Sequence, residues 1–221
     1  MHARKLLAAF LLLGISLMTS AQRILSEGTI VFEITVQTGK PDPQLADMFD
    51  GAKASIQLRG GLSRSELLSA LGSTVTIYDH RAGSGVVLRE FGPQKLLIRM
   101  DKADWADKNR RYEGVRFNYD TQTKVVSGYP CERAEAVLSD SSRFTVWFTR
   151  KLVAENSSFD PQFSQLPGTA LEYESNVGGI RVRYSAVSVS FDPVPISRFE
   201  VPTSGYREMS YKESQLKKGG G

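Results

Sequence analysis

Beyond residue 29, apolar and polar side chains alternate with a period of two along much of the chain. Ile30, Phe32, Ile34 and Val36 are separated by Val31, Glu33 and Thr35. The alternation returns at Ile56–Leu58, Val75–Ile77, Phe144–Phe148 and Ile180–Tyr184. Successive side chains of a strand point to opposite faces, so these segments read as strands with one apolar face. Less regular strands are predicted at Val86–Phe91, Leu96–Met100, Val115–Tyr119, Glu132–Leu138 and Thr169–Glu174. Ala82-Gly83-Ser84-Gly85, Gly92-Pro93 and Asn176-Val177-Gly178-Gly179 lie between strands, where glycine supplies the positive φ of tight hairpins. In the last long strand the apolar positions change phase, from Ile180, Val182, Tyr184 and Ala186 to Val187, Val189 and Phe191. One residue of slip exchanges faces, which predicts a bulge or bend at Ala186–Val187. Long strands that bend suit a strongly curved antiparallel sheet or an open barrel.

Two short helices interrupt this mainly β pattern. Asp42 caps the first and Pro43 takes its opening position, so Leu45, Met48 and Phe49 share a face before Gly51 ends it. Asp101 is the expected cap of the second, with Asp104 three residues on. Neither is long enough to stand alone, so both must pack on the sheet.

The first segment sets the expected compartment. Arg4 and Lys5 precede an uncharged apolar run, Leu6–Leu17, followed by Thr19, Ser20 and Ala21 before Gln22. This is the order of a secretory signal cleaved between Ala21 and Gln22. The run is shorter than the roughly 20 apolar residues that a bilayer span needs, so no span is expected in the mature chain. The chain then divides into a signal at 1–21, one domain at 22–212 and a disordered tail at 213–221, placed in the periplasm or outside the cell. Of the 221 residues, 41% are hydrophobic and 24% charged, which excludes a disordered, collagen-like or multi-span protein. Loss of Arg4 and Lys5 lowers the formal charge of +4, too little to argue for a nucleic-acid partner.

Candidate chemistry is sparse. Cleavage would leave His80 as the one imidazole, at a strand end beside Asp79, where a surface role outweighs a catalytic one. Cys131, the single thiol, reads as a small core residue. Asp101, Asp104 and Asp107 read as helix-start carboxylates, not as a calcium loop. Gly83-Ser84-Gly85 reads as a hairpin, not as a phosphate loop. Trp147, Tyr119, Tyr173 and Tyr184 either fill a core or line a cavity. No catalytic, cofactor or metal site is expected.

The order of pieces from about 127 to 206 resembles the GLPGLI group of exported, uncharacterised Gram-negative proteins. Ser127-Gly128-Tyr129-Pro130-Cys131-Glu132-Arg133-Ala134 is similar to the group's Gly-Tyr-x-Cys-x-x-Ala strand, and Phe144-Thr145-Val146-Trp147-Phe148-Thr149 to its aromatic strand. Leu166-Pro167-Gly168-Thr169-Ala170-Leu171 resembles the name-giving segment, with Thr169-Ala170 in place of Leu-Ile. Phe199-Glu200-Val201-Pro202 with Gly205-Tyr206 resembles the closing motif. The resemblance implies a fold similar to periplasmic lipoprotein carriers of the LolA type: an open half-barrel with two or three short helices on its concave side. The expected function is that of a non-catalytic envelope protein holding an apolar ligand, a lipid or a lipoprotein acyl chain, without cofactor. Phe32, Ile34, Val75, Ile77, Phe144, Val146 and Phe148 would line the cavity, under a lid of Leu45, Met48 and Phe49. The alternatives are an envelope protein–protein interaction module and, third, a carboxylate-dependent hydrolase.

Overall fold

The computed structural model describes residues 22–37, 51–177 and 180–216. The expected lid residues Leu45, Met48 and Phe49 lie outside them, as do Ala21 and the terminal 217–221 segment. The strands in chain order are β1 (Arg23–Leu25), β2 (Glu27–Gln37), β3 (Lys53–Arg59), β4 (Leu62–Ser69), β5 (Gly72–Asp79), β6 (Ser84–Phe91) and β7 (Gln94–Met100). Helix α1 (Lys102–Asn109) follows, then β8 (Arg116–Val126), β9 (Tyr129–Val137), β10 (Arg143–Thr149) and β11 (Leu152–Ala154). The chain continues with β12 (Thr169–Val177), β13 (Ile180–Ser190), β14 (Arg207–Ser210) and α2 (Tyr211–Leu216).

Among the described residues, twelve strands form one sheet in the order β14-β7-β6-β5-β4-β3-β2-β13-β12-β10-β9-β8. All neighbours are antiparallel except β14, which runs parallel to β7. Among the described residues the two end strands do not pair with each other, so the sheet is not closed into a barrel. A separate parallel pair, β1 with β11, buries Leu25 and Leu152. The phase change in β13 is where the pattern puts it: the register with β2 slips between Ala186 and Ser188. Two expectations need correction. β4 has no counterpart among the predicted strands, because Ser63, Arg64, Ser65 and Glu66 hide its apolar positions. The segment expected as tail from 213 includes part of helix α2, which buries Tyr211 and Ser214 and runs to Leu216.

Register assigns the faces. One row across the sheet runs Phe32, Ala54, Leu67, Thr74, and the next runs Ile30, Ile56, Ser65, Thr76, Val87, Ile98. These residues share the first face. Val31, Ser55, Glu66, Val75 and Leu88 form a row on the second.

The second face is covered by the segment that follows β13. Val75, Ile77, Leu88 and Leu97 pack against Val194 and Phe199, with Val201 and Tyr206 alongside. Polar contacts hold the segment in place. The Glu27 carboxylate accepts from the Val194 amide at 2.8 Å, and Arg59 donates to the Val194 carbonyl at 2.6 Å. Arg198 donates to Gln57 at 3.0 Å and to Glu66 at 3.1 Å. Tyr206 donates to Glu90, which pushes the phenol up to about 12 and holds the Glu90 carboxyl below its usual range. These part-buried and exposed contacts fix position more than they stabilise. Burial of the apolar side chains contributes more of the stability. Phe199 is 7% exposed, and Phe199→Ala should cost about 3–5 kcal/mol in urea unfolding. A loss under about 1 kcal/mol would mean that the segment does not cover this face.

Candidate functional site

Helix α1 begins with a reciprocal cap. The Asp101 carboxylate accepts from the Asp104 amide at 2.9 Å, and the Asp104 carboxylate accepts from the Asp101 amide at 3.3 Å. This satisfies donors that a helix start leaves open. The helix turns Trp105 onto the first face, where the indole stacks on Tyr78 with centroids 4.2 Å apart and planes at 20°. Gly85, cross-strand from Tyr78, makes room: a Cβ there would sit 3.3 Å from the indole. Val87, Ile98, Met100, Met209 and Tyr211 complete this cluster.

A second cover comes from Phe159 and the short 3-10 helix Pro161–Phe163. Phe163 meets Tyr173 edge-on at 4.8 Å, and Tyr173 stacks on Tyr184 at 4.8 Å and meets Phe32 edge-on at 5.8 Å. Phe159 packs against both this cluster and the Trp105 cluster. The covers therefore rest on large rings at either side. Between those supports the sheet carries the small residues Ala54, Ser65, Thr74 and Thr76, with Ile56 and Leu67 beside them. A cleft of about 330 Å³ remains above them, bounded by Trp105, Lys108, Asn109, Tyr112 and Phe159–Gln162. Its size falls at the lower end of small-molecule sites, and its lining is mixed, not apolar throughout.

A narrower slot of about 100 Å³ adjoins it, sharing Phe32, Ile56, Phe159, Asp160 and Tyr173. Its other walls include Ile30, Leu58, Val153, Phe163 and Ala170. Gly168 and Thr169 also line it. Gly168 is required by a close approach, since a Cβ there would lie 2.1 Å from the Thr149 carbonyl oxygen. The Thr169 hydroxyl is buried without a hydrogen-bond partner among the described residues.

Asp160 stands where slot and cleft meet. Burial pushes its carboxyl up to about 6, against the opposing pull of Lys108 and of the Gln162 amide. Desolvation likewise holds the phenols of Tyr173 and Tyr112 above their usual value, and the Asp160 charge adds to both. Desolvation outweighs the nearby cation here because the carboxylate loses more hydration than one lysine restores.

The residues expected to line one cavity are dispersed. Phe32 borders the cleft and the slot. Ile34 packs with Ala52 and Val182 in a neighbouring cluster. Val75 and Ile77 lie on the second face beneath Val194 and Phe199, because a row carrying Phe32 carries Thr74, not Val75. Val146 and Phe148 are fully buried among Ala134 and Ala170 and line neither space. Phe144 borders a separate pocket. Alternation alone treats apolar positions as cavity-facing, and so overlooks Thr74, Thr76, Trp105, Tyr112 and Asp160. The segment Val75–Ile77 does contain the signal, in its polar half.

The remaining candidates have structural places. Asp107 pairs with Arg110 and accepts from the Tyr211 hydroxyl at 3.1 Å. Cys131 is buried and its thiol is pushed up to about 11 by desolvation, so it stays protonated. His80 Nδ1 lies 2.7 Å from Ser158 Oγ, whose own proton goes to Asn156 Oδ1 at 2.7 Å. Nδ1 must then be the donor, which leaves no base on the serine. Trp147 lies under the Lys124 ammonium at 4.4 Å, away from the cleft.

No family model and no curated protein matches the chain. Similar solved structures include PNGF-II, at a TM-score of 0.47 and 12% identity over 87% of this chain and 34% of that one. MucB aligns at a TM-score of 0.39 and 10% identity over 81% of this chain and 58% of that one. A β-barrel-like protein of the DUF1849 group from Brucella abortus aligns at 0.35 and 8% identity, over 77% of this chain and 99% of that one. The chain spans about a third of the PNGF-II chain, and these values assign no family.

The raised Asp160 value makes a pH prediction. The folded state holds this proton more tightly than the unfolded one, whose value is near 3.8. The associated stability is fully present below that value and is lost as pH rises through about 6. Asp160→Asn should therefore be more stable than the parent at pH 7.5, by about 1–3 kcal/mol. The gap should close toward pH 4 in paired thermal melts. A gap that does not change with pH would contradict the desolvation of this carboxyl.

Proposed function

We propose that this chain is an exported, non-catalytic envelope protein that holds a lipid-like amphiphile between the first face of its sheet and the α1 and 159–163 covers. The carrying observation is the pairing of a mixed cleft with an apolar slot on one continuous surface. An acyl segment fits the slot, where burial of apolar area contributes about 25 cal/mol per Å². Its polar part then lies over Ser65, Thr74 and Thr76 and near Lys108 and Asp160. This refines the expected purely apolar ligand. A free lipid and the acyl chain of a lipoprotein both fit the chemistry, and the GLPGLI-type resemblance with a LolA-like half-barrel agrees with it.

Export is supported by the segment that follows the expected cut. Gln22 donates to the Arg150 carbonyl at 3.0 Å, and the Arg23 amide donates to the Lys151 carbonyl at 2.8 Å. The Arg23 guanidinium sits 3.2 Å over the Phe191 ring. A cut between Ala21 and Gln22 would leave these contacts intact. Among the described residues no helix is long and apolar enough to cross a membrane.

A second reading, an envelope protein-interaction module, draws on the sheet edge. β8 is an end strand with Val125 71% exposed. Its pairing with β9 is broken between Tyr119 and Thr123, which shortens the straight edge open to an added strand. The cleft therefore carries the preferred reading.

Thr76→Phe tests it by filling the cleft from its floor. In native mass spectrometry with monodecanoylglycerol as probe, uptake should fall about tenfold or more, while the melting temperature changes by only a few degrees. Unchanged uptake by a folded variant, or no uptake by the parent protein, would contradict the proposal.

A further inference from the structure

We infer that the fork between β10 and β12 is an oxyanion site that receives the charged head of the amphiphile, an assignment that rests on the cleft reading above. The two strands pair only from Val146 with Tyr173 to Thr149 with Thr169. Beyond that point each keeps its outer neighbour: Arg143 stays paired with Val137 of β9, and Glu174 with Arg183 of β13. Among the described residues, no pairing joins 143–145 to 174–176, so the facing strand edges part there. Backbone groups on such edges need partners from outside the ladder.

A pocket of about 270 Å³ occupies the fork. Arg143 comes from β10, Arg181 from β13 and Arg111 from the turn after α1, against a single carboxylate among the described residues, Glu174. Arg143 is paired with Glu135 at 2.8 Å, and Glu174 lies 4.0 Å from Arg183. Neither Arg111 nor Arg181 has a carboxylate within ion-pair distance among the described residues, although Arg111 faces the Tyr112 ring at 5.3 Å. Asp140 also lies near Arg111, and the Ser142 hydroxyl and amide already engage it. Guanidinium groups remain charged at any physiological pH and bind carboxylate or phosphate oxygens through parallel donors. The pocket therefore favours an oxyanion over a neutral head.

Its wall is also the wall of the cleft. Tyr112, Gln162 and Ser175 line both spaces. Gln162 is 9% exposed and sits on this shared wall. A buried amide at such a boundary is a ready partner for a ligand crossing it. The apolar slot, the mixed cleft and the arginine fork thus follow one another, in the order tail, linker and head.

Calorimetric titrations of the parent protein and of the Arg111→Gln/Arg181→Gln double variant test this, with thermal melts confirming that the variant is folded. The probes are decyl phosphate, neutral monodecanoylglycerol and inorganic phosphate. Decyl phosphate should bind the parent about tenfold or more tightly than monodecanoylglycerol. The double variant should lose that advantage and keep its affinity for the neutral probe. Equal affinity for the two amphiphiles, unchanged in the variant, overturns the oxyanion site and leaves the cleft reading standing. Inorganic phosphate binding as tightly as decyl phosphate, and lost in the variant, keeps the oxyanion site and overturns its link to the cleft. No binding of either phosphate overturns the site altogether.

Discussion

On the proposed reading, a mismatch of side-chain size across one face of the sheet governs what this protein can hold. Protein interiors fill to crystal-like density when facing groups match. Here the covers stand on Trp105 over Tyr78 at one side, and on Phe163 over Tyr173 at the other. The strands between carry the small residues Ala54, Ser65, Thr74 and Thr76 beside Ile56 and Leu67, and a cleft of about 330 Å³ remains above them. Ring stacking and edge contacts set the height of the covers, so the gap cannot close by simple collapse. Filling it takes a larger floor residue, water or a ligand. On the proposed reading, the hydroxyl floor and the carboxyl of Asp160 set the chemistry of that ligand.

The two faces have separate work. The second face is sealed by the 191–206 segment, whose Val194 and Phe199 supply the apolar cover and whose backbone is pinned by Glu27 and Arg59. That seal lets the first face remain partly open without exposing the core of β5–β7 on both sides. The division follows from period two alone: Val75 and Ile77 serve the sealed face, and Thr74 and Thr76 serve the open one.

Much of the architecture is legible in the residues. The β13 phase change marks a real slip at Ala186–Ser188, and Asp101 with Asp104 forms the cap its spacing suggests. The mainly β antiparallel class follows from alternation and glycine turns. β4 is not legible, because a strand lying between two others draws its place from its neighbours, and Ser63–Glu66 carries no apolar stripe. The cleft is legible even less. Whether Thr76 faces a void depends on the register of four strands and on where Trp105 lands, which no local pattern encodes. Apolar alternation identifies the buried residues Val146 and Phe148, but a filled core and a cavity wall look alike in one dimension.

Trp105 offers the most direct measurement. The chain has two tryptophans, and Trp147 lies away from the cleft, so Trp147→Phe leaves Trp105 as the reporter. Titration with an acyl probe brominated along its chain should quench Trp105 emission saturably and at one-to-one stoichiometry. Emission that stays unquenched while the probe remains below its micellar concentration would contradict a ligand space beneath α1.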